Sequence, residues 1–391
     1  MPSPTETLEL LKRGTAQIIN EQELKAKLAR GKPLRIKLGV DPTSADLHLG
    51  HAVVLRKLHQ FQKLGHQIVL IIGDFTAMIG DPSGRNTTRP PLTHEQVMNN
   101  AQTYMEQAFQ VLDRETTEVV QNGSWFSKLT FKEVIKLTSR VTIQQMLQRE
   151  DFKNRVAEGR EVRMHELLYP IMQGWDSVEV RADVEIGGTD QLFNMLVGRE
   201  LQKEEGMESQ IVLTMPLLEG LDGVKKMSKS LGNYVGLMDA PGDMFGKLMS
   251  ISDEIMPKYY LLVLGEVMDA TMHPMEAKKS LAEKCVALYH NAEAATAARA
   301  DWDARFSKRD LAHSNLPECT LGERRDVLGV AAHAFQSLGA PKSTSDIRRL
   351  IGQGSVQLND EKLSDVKAEP AWKDGDILRL DKKNAVRIKG A

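Results

Sequence analysis

The first half of the chain alternates short apolar runs with amphipathic stretches. Residues 34–40 (LRIKLGV) and 67–74 (QIVLIIGD) have the apolar character of strands that are buried in a parallel sheet. Between these runs, Val54, Leu58 and Phe61 recur at helical spacing on one face. A strand, a helix and a second strand in succession form a βαβ unit. This half of the chain is therefore expected to have an α/β fold with a doubly wound, parallel sheet.

Two more apolar runs extend this pattern. Residues 183–188 (DVEIGG) and 210–218 (QIVLTMPLL) predict further strands, and the first of them leads into an amphipathic helix. Residues 125–180, which precede these strands, have a mainly helical pattern. They are expected to form an insertion into the nucleotide-binding fold.

After the last of these strands the pattern becomes helical. Residues 275–310 are rich in Ala, Glu and Lys, and Leu281, Cys285 and Leu288 are spaced as the buried face of a helix. The end of the chain changes character again, because residues 341–391 contain 11 Lys and Arg against 8 Asp and Glu. A helical domain followed by a small basic domain is therefore expected.

The composition narrows the class of protein. Hydrophobic residues make up 41% and charged residues 27% of the 391 residues, as in ordinary globular proteins, and the formal net charge of −2 argues against attachment to nucleic acid by bulk charge. Cys285 and Cys319 are far apart and lack metal-ligand spacing. No segment reaches the roughly 18 consecutive apolar residues of a membrane span. A cytoplasmic protein without a membrane partner is expected.

Two histidines lie where a predicted strand leads into a helix, in DPTSADLHLGH (41–51). The free N–H groups and the dipole of a helix N-terminus favour phosphate at such a position. Gly50 permits close approach of a base or a ribose, and His48 and His51 can donate hydrogen bonds to phosphate or ribose oxygens near neutral pH. Incidental histidines are an alternative, and a zinc site is another, although it lacks a third ligand at any sensible spacing.

A lysine-rich loop follows later, in VKKMSKSLGN (224–233). Lys226 and Lys229 flank small hydroxyl residues and can bring two cations onto a polyphosphate as charge develops in a displacement. Taken alone, the segment also fits a solvated lysine run. Together and in this order on an α/β frame, the two stretches resemble the HIGH and KMSKS signatures of class I aminoacyl-tRNA synthetases.

Three further stretches indicate the amino acid. They are LLYPIMQGWD (167–176), whose Tyr169, Gln173 and Asp176 share one helix face, IGGTDQLFN (186–194) and MIGDPSGRNTTR (78–89). All three resemble motifs of tyrosyl-tRNA synthetases of bacteria, and the resemblance covers the whole chain.

The resemblance implies a set of site residues. The tyrosine ammonium would be held by Asp81, Tyr169 and Gln173, the phenol hydroxyl by Asp176, and the carboxylate side by Gln191. The phosphate-side group would be Thr43, His48, His51, Arg85, Arg89, Lys226 and Lys229. ATP would also contact Gly39, Asp41, Gly50, Gly188, Asp190, Met227 and Ser228.

One position departs from the family pattern. Many bacterial members carry a tyrosine in the strand before the histidine turn, where it shares the substrate hydroxyl with the aspartate, and this chain has Lys37 there. A lysine cannot accept a hydrogen bond. Either Lys37 lies outside the pocket, or it pairs with Asp176 and alters recognition.

The resemblance also implies the reaction. Tyrosine and ATP would give tyrosyl-adenylate and pyrophosphate, and the tyrosyl group would then pass to the 3′ end of tRNA(Tyr). Mg²⁺ would arrive with ATP, and no tightly bound protein metal is expected. A homodimer through the inserted helical region is implied as well.

The tail, in STSDIRRLIGQGSVQLND (343–360), resembles a small RNA-binding module shared with a ribosomal protein, and Arg348 and Arg349 would contact tRNA. The expected division is a Rossmann-like catalytic domain (1–240) with a helical insertion (about 125–180) and the KMSKS loop (224–233), an all-helical domain at the tRNA anticodon region (241–335) and a small α+β RNA-binding domain (338–391). Three alternatives remain: a tryptophanyl-type enzyme, another adenylate-forming relative, and a catalytically silent RNA-binding protein on the same scaffold.

Overall fold

The computed structural model describes residues 2–43, 46–80, 92–308, 316–381 and 384–390, except for the side chains of 307 and 308. The chain forms two compact units, Met1–Ala295 and Thr296–Ala391. None of the helices in the described ranges is long and apolar enough to cross a membrane.

The first unit is built on a six-stranded sheet. Its strands are β1 (Gln17–Ile19), β2 (Arg35–Val40), β3 (Gln67–Ile72), β4 (Thr117–Gln121), β5 (Val184–Gly188) and β6 (Ile211–Met215). Their spatial order is β1-β6-β5-β2-β3-β4, and all neighbours are parallel except β1 and β6. The predicted α/β class is confirmed. The chain leaves β2 toward β3 on one side and returns through β5 on the other, so the β2–β5 border is the topological switch point.

Helices precede, connect and follow these strands in the chain. They are α1 (Pro4–Lys12), α2 (Glu21–Ala29), α3 (Leu49–Lys63), α4 (Thr76–Ile79), α5 (His94–Ala108), α6 (Gly123–Phe126), α7 (Phe131–Thr138), α8 (Ile143–Met146), α9 (Glu150–Ala157), α10 (Met164–Glu179), α11 (Leu192–Glu204), α12 (Pro241–Met249), α13 (Met256–Tyr259), α14 (Pro274–Tyr289) and α15 (Ala292–Trp302). Helices α6 to α10 lie between β4 and β5 in the chain. Short 3-10 helices occur at Thr189–Gln191 and Lys229–Leu231, and π-helical turns at Tyr260–Leu264 and Asp303–Lys308.

Two glycines bring α10 close to α11. A Cβ atom added to Gly174 would lie 2.9 Å from the backbone nitrogen of Gly198, and one added to Gly198 would lie 3.4 Å from the Cα of Gly174. Only bare backbone fits at this crossing. The contact fixes the position of α10, whose opposite face carries Tyr169 and Asp176.

One predicted core position is wrong. In α14, Leu281 and Cys285 are buried, but Leu288 is 44% exposed and Tyr289 is buried instead. Residues 288 and 289 lie three and four positions after Cys285, so the helical period allows either to be buried, and in α14 it is Tyr289 that faces the core.

The second unit begins within α15, and its described residues beyond the π-helical turn at Asp303–Lys308 form a five-stranded sheet and two further helices. Its elements are β7 (Glu318–Thr320), α16 (Val327–Ser337), α17 (Thr344–Gly352), β8 (Gln357–Leu358), β9 (Glu361–Lys362), β10 (Ile377–Arg379) and β11 (Ala385–Lys389). The strand order is β7-β11-β10-β8-β9. Phe335 of α16 and Ile351 of α17 are buried in one core with Leu378 of β10. The β8–β9 hairpin turns at Asn359 and Asp360, both of which have positive φ.

Candidate active site

A cleft of about 490 Å³ opens at the carboxyl ends of β2, β5 and β6, next to the switch point where α/β sheets bind ligands. Most of the residues singled out from the sequence line it. They are Gly39, Asp41, Thr43, His48, Gly50, His51, Tyr169, Gln173, Asp176, Gly188, Asp190, Gln191, Lys226, Met227, Ser228 and Lys229.

Five predicted residues are not in this list. Asp81, Arg85 and Arg89 lie outside the described residues. Arg348 and Arg349 lie on α17 of the second unit, where both side chains are exposed.

The two histidines form a fixed pair at the start of α3. Nδ1 of His48 accepts a hydrogen bond from the backbone N–H of Gly50 at 3.2 Å, and Nδ1 of His51 accepts one from the N–H of His48 at 3.2 Å. The ring centroids are 3.9 Å apart. A nitrogen that accepts cannot carry the proton, so each neutral ring carries its hydrogen on Nε2.

The surroundings keep both rings neutral. Burial, followed by the nearby His51 and Lys229, lowers the pKa of His48 to about 2. Burial and then Lys229 lower the pKa of His51 to about 4. The histidines are therefore uncharged donors at neutral pH.

Gly50 also serves the histidine pair directly. A Cβ atom at this position would lie 3.0 Å from both Cε1 and Nδ1 of His48. A side chain here would push the imidazole away from its backbone donor. The absence of a side chain at Gly50 therefore keeps the imidazole of His48 in place, independently of any ligand.

The segment after the lysine loop pairs with the histidine turn. The N–H of Leu49 donates to the carbonyl of Val235 at 3.0 Å, and the N–H of Leu237 donates to the carbonyl of Leu47 at 2.9 Å. These backbone bonds bring together two motifs that are far apart in the sequence.

Two of the three lysines of the loop, Lys226 and Lys229, are held by carboxylates at the rim of the cleft. Nζ of Lys226 lies 3.1 Å from Oδ2 of Asp190, and Nζ of Lys229 lies 2.9 Å from Oδ2 of Asp46. Between them the buried Met227 donates its N–H to the carbonyl of Leu218 at 2.8 Å. Met227 therefore anchors the loop backbone between Lys226 and Lys229, whose side chains extend to either side.

Helix α10 forms the opposite wall. The hydroxyl of Tyr169 donates to Oδ2 of Asp41 at 2.7 Å, and Oδ1 of Asp41 accepts from the hydroxyl of Thr76 at 2.6 Å. Further along the helix, Asn194 donates from Nδ2 to Oε1 of both Gln173 (2.8 Å) and Gln191 (3.0 Å). The side chains of this wall are therefore held in two hydrogen-bonded groups, one around Asp41 and one around Asn194.

Asp176 is buried at the end of this wall. Its Oδ1 accepts from Nε1 of Trp125 at 3.0 Å, and its Oδ2 accepts from Nδ2 of Asn122 at 3.3 Å. Burial raises the pKa of Asp176 to about 7, although the charge of Lys37 and these two hydrogen bonds oppose the rise. The carboxylate is oriented by two donors that leave other lone pairs for a ligand hydroxyl.

Lys37 does not pair with Asp176. Its fully buried ammonium donates to Oε1 of Glu185 at 2.8 Å, to the hydroxyl of Ser177 at 2.7 Å and to the carbonyl of Gln173 at 2.8 Å. Of this pair, Glu185 lines the cleft and Lys37 does not. Of the two alternatives left by the sequence, the position outside the pocket is the one observed.

Known proteins identify the family. The family model of class I tRNA synthetases (W and Y) matches residues 29–307. The tyrosine–tRNA ligase of Moorella thermoacetica is 48% identical over 97% of this chain and 95% of its own length, and that of Aquifex aeolicus is 48% identical over 99% of both. The chain belongs to the tyrosine–tRNA ligase family. The full-length relatives decide for tyrosine over tryptophan.

Solved structures of tyrosyl-tRNA synthetases share the ligase fold. A C-terminally truncated mitochondrial enzyme from Aspergillus nidulans matches with a TM-score of 0.63 and 22% identity, covering 78% of this chain and 95% of that one. The enzyme from Archaeoglobus fulgidus, solved with L-tyrosine, matches with a TM-score of 0.60 and 22% identity over 75% and 99% of the chains. As a member of the tyrosine–tRNA ligase family, the chain uses tyrosine, ATP and tRNA as substrates.

The sequence reasoning missed four residues of the ligase cleft wall. Glu185 and Asn194 bind Gln173, and Asn122 and Trp125 bind Asp176. A signal existed for Glu185, because its acidic side chain interrupts an apolar strand next to a strand interrupted by a lysine. Asn122 and Trp125 gave no signal, since only the fold brings the end of β4 to α10.

Proposed function

We propose that the cleft binds tyrosine along α10 and ATP between the histidine turn and the lysine loop. The supporting observation is that motifs from distant parts of the sequence line one cleft at the switch point of the sheet. Tyr169, Gln173 and Asp81 would take the ammonium, Asp176 the phenol hydroxyl and Gln191 the carboxylate side.

On the nucleotide side, we assign ribose and base contacts to the backbone glycines Gly39, Gly50 and Gly188 and to Asp190. Asp41 lies between the two halves of the cleft, because its carboxylate is bonded to Tyr169 while its backbone continues β2. Met227 and Ser228 would complete the ATP site through the lysine loop.

Activation requires positioning and charge stabilisation more than covalent chemistry. The tyrosine carboxylate attacks the α-phosphorus of ATP, and pyrophosphate leaves. The neutral His48 and His51 would donate from Nε2 to phosphate or ribose oxygens, and Thr43 would add a hydroxyl. Lys226 and Lys229 would exchange their carboxylate partners for the departing phosphates. In the second step the 3′ hydroxyl of tRNA takes the tyrosyl group.

The remaining phosphate ligands are cations and a metal that accompanies the substrate. Arg85 and Arg89 are proposed for the phosphate side on resemblance alone. Mg²⁺ would enter with ATP and remain mostly on phosphate oxygens and water.

The experiment is His48→Ala, assayed by tyrosine-dependent ATP–pyrophosphate exchange. Loss of a donor aimed at developing charge should lower kcat by about 10²-fold, with less than about twofold change in tyrosine Kd. His48→Asn is the control, because asparagine keeps an N-cap acceptor for α3. Equal loss of tyrosine affinity, or full activity of His48→Asn, would mean that His48 serves structure rather than the phosphates.

A homodimer through the inserted helices is also proposed. Phe131 and Ile135 lie one turn apart on α7 and are 80% and 53% exposed, and Ile143 on α8 is 60% exposed. Exposed apolar residues on adjacent helices favour an interface with a second copy of the chain. Sedimentation of a Phe131→Glu variant should then show a monomer. The same sedimentation coefficient as the unmodified protein would contradict this interface.

The second unit is proposed to bind tRNA through α17. Arg348 and Arg349 are exposed on one face of this helix, and Ile347 and Ile351 are buried on the other. Such contacts reach phosphates and weaken with salt. We also propose the division into domains 1–240, 241–335 and 338–391. We propose a cytoplasmic location as well, where the two buried free cysteines would stay reduced.

A further inference from the structure

The most deeply buried ion pair among the described residues lies directly behind the proposed tyrosine site. Nζ of Lys37 and Oε1 of Glu185 are 2.8 Å apart, and the two side chains are 0% and 2% exposed. Other described pairs range from the partly buried Arg155–Glu166 pair to the exposed Arg30–Glu208 pair. A buried pair costs desolvation and is rarely retained for stability alone. Its partners indicate what it does.

The ammonium of Lys37 has no hydrogen left for a substrate. An ammonium group has three N–H donors, and Lys37 uses them on Glu185, Ser177 and the carbonyl of Gln173. Lys37 therefore does not replace the hydroxyl contact that a tyrosine makes at this position in many relatives.

Glu185 accepts hydrogen bonds from β2, from α10 and from Gln210, which directly precedes β6. Oε1 accepts from Lys37 of β2 and from Nε2 of Gln173 at 3.3 Å, while Oε2 accepts from the hydroxyl of Ser177 at 3.1 Å and from Nε2 of Gln210. Two of these donors, Gln173 and Ser177, lie one turn apart on α10. The ion pair thus binds both ends of the helical turn that contains Asp176.

The same contacts decide which way the Gln173 amide faces. Because Nε2 of Gln173 donates to Glu185, its Oε1 faces Asn194, which also donates to Gln191. Gln173 and Gln191 are two of the side chains assigned to tyrosine. A change at Lys37 or Glu185 would therefore reach the substrate through oriented amides and through the turn that carries Asp176.

We propose that the Lys37–Glu185 ion pair is a positioning device of the tyrosine site, which sets the Gln173 amide and the Gln173–Ser177 turn and whose lysine does not line the cleft. This inference rests on the proposed binding of tyrosine along α10. The positive charge of Lys37 also opposes the rise in the pKa of Asp176. It therefore favours the ionised carboxylate, which would accept the phenol hydroxyl of tyrosine.

The experiment measures KM for tyrosine and for ATP in pyrophosphate exchange for a set of variants. Lys37→Met removes the cation, and Lys37→Met/Glu185→Gln removes both charges so that no unpaired carboxylate remains buried. Ser177→Ala removes one shared hydroxyl without unpairing a charge. The neutral double variant should raise KM for tyrosine by about tenfold or more, because misplacement of binding groups by a fraction of an ångström is costly, and KM for ATP should change by less than about twofold. Ser177→Ala should show the same split at smaller size.

Lys27→Met is the matched control. Lys27 is also a buried lysine of the first unit, with Nζ 3.1 Å from Oδ1 of Asp183, but it lies away from the cleft. This variant should lose stability and keep both KM values. If both Lys37 variants fail to fold, Ser177→Ala still tests the proposal through its KM values for tyrosine and ATP.

Gln173→Ala separates the two proposals. If Gln173→Ala leaves KM for tyrosine unchanged, the placement of tyrosine along α10 is wrong. If Gln173→Ala raises KM for tyrosine but the folded Lys37 and Ser177 variants do not, the positioning role is wrong. Parallel changes in the KM values for tyrosine and ATP would also overturn it.

Discussion

The two sides of the cleft are held together in different ways. On the phosphate side, the Lys226–Asp190 pair is 45% and 31% exposed, whereas on the tyrosine side Lys37 and Glu185 are excluded from solvent. Exposed pairs contribute about 0–1 kcal/mol and exchange partners easily. Removing one partner of a buried pair costs about 3–5 kcal/mol. The difference suits a loop that must release its carboxylates to meet ATP and a wall that must hold one shape for tyrosine.

The largest contrast is expected in stability. Glu185→Gln leaves the buried ammonium of Lys37 without its counter-charge, so the free energy of unfolding should fall by about 3–5 kcal/mol. Asp46→Asn breaks the Lys229 pair at the rim and should change it by less than about 1 kcal/mol. Urea denaturation of both variants measures the difference. Equal losses would remove the distinction between the two sides.

A pH dependence is expected on the tyrosine side. The pKa of Asp176 is raised to about 7, so the carboxylate becomes protonated as pH falls through 7 and loses an acceptor for the phenol hydroxyl. KM for tyrosine should therefore rise by up to about tenfold between pH 8 and pH 6, as linkage requires for one proton. Asp176→Asn should abolish this dependence. His48 and His51 stay neutral over this range, so KM for ATP should not follow it.

The smallest effect is expected from residues that belong to neither side of the cleft. Arg348→Ala/Arg349→Ala should raise KM for tRNA several-fold and leave pyrophosphate exchange unchanged. The slope of tRNA affinity against salt concentration should fall by an amount equivalent to about one to two phosphate contacts. Deletion of 338–391 is a poorer test, because Phe335 of α16 packs in the same core as Ile351 and Leu378. Unchanged tRNA charging by the double variant would discredit the proposed contact.

The geometry of the histidine turn follows from the sequence more directly than that of the α10 wall, for a physical reason. His48, Gly50 and His51 act within one helical turn, so their spacing in the chain carries the information. Lys37, Glu185 and Asn194 come together only because β2 and β5 are neighbours and α10 packs on α11. Apolar runs predicted the strands, but the pairing of two charges across adjacent strands requires the strand order.

Two smaller differences between prediction and structure, at Leu288 and at the histidine nitrogens, have the same physical origin. The apolar spacing predicts Leu288 in the core, because spacing alone does not distinguish position 288 from position 289. The sequence predicts that His48 and His51 donate hydrogen bonds, but it does not show which ring nitrogen donates. In the structure both Nδ1 atoms accept from backbone N–H groups, which leaves Nε2 as the donor.

The most direct test of the division between the two sides compares His48→Ala with Lys37→Met/Glu185→Gln in one tyrosine-dependent ATP–pyrophosphate exchange assay. The histidine variant should lose kcat by about 10²-fold and keep KM for tyrosine. The neutral charge-pair variant should raise KM for tyrosine by about tenfold and keep KM for ATP. If both variants instead lower kcat and raise both KM values together, the two sides of the cleft do not act separately and the account is wrong.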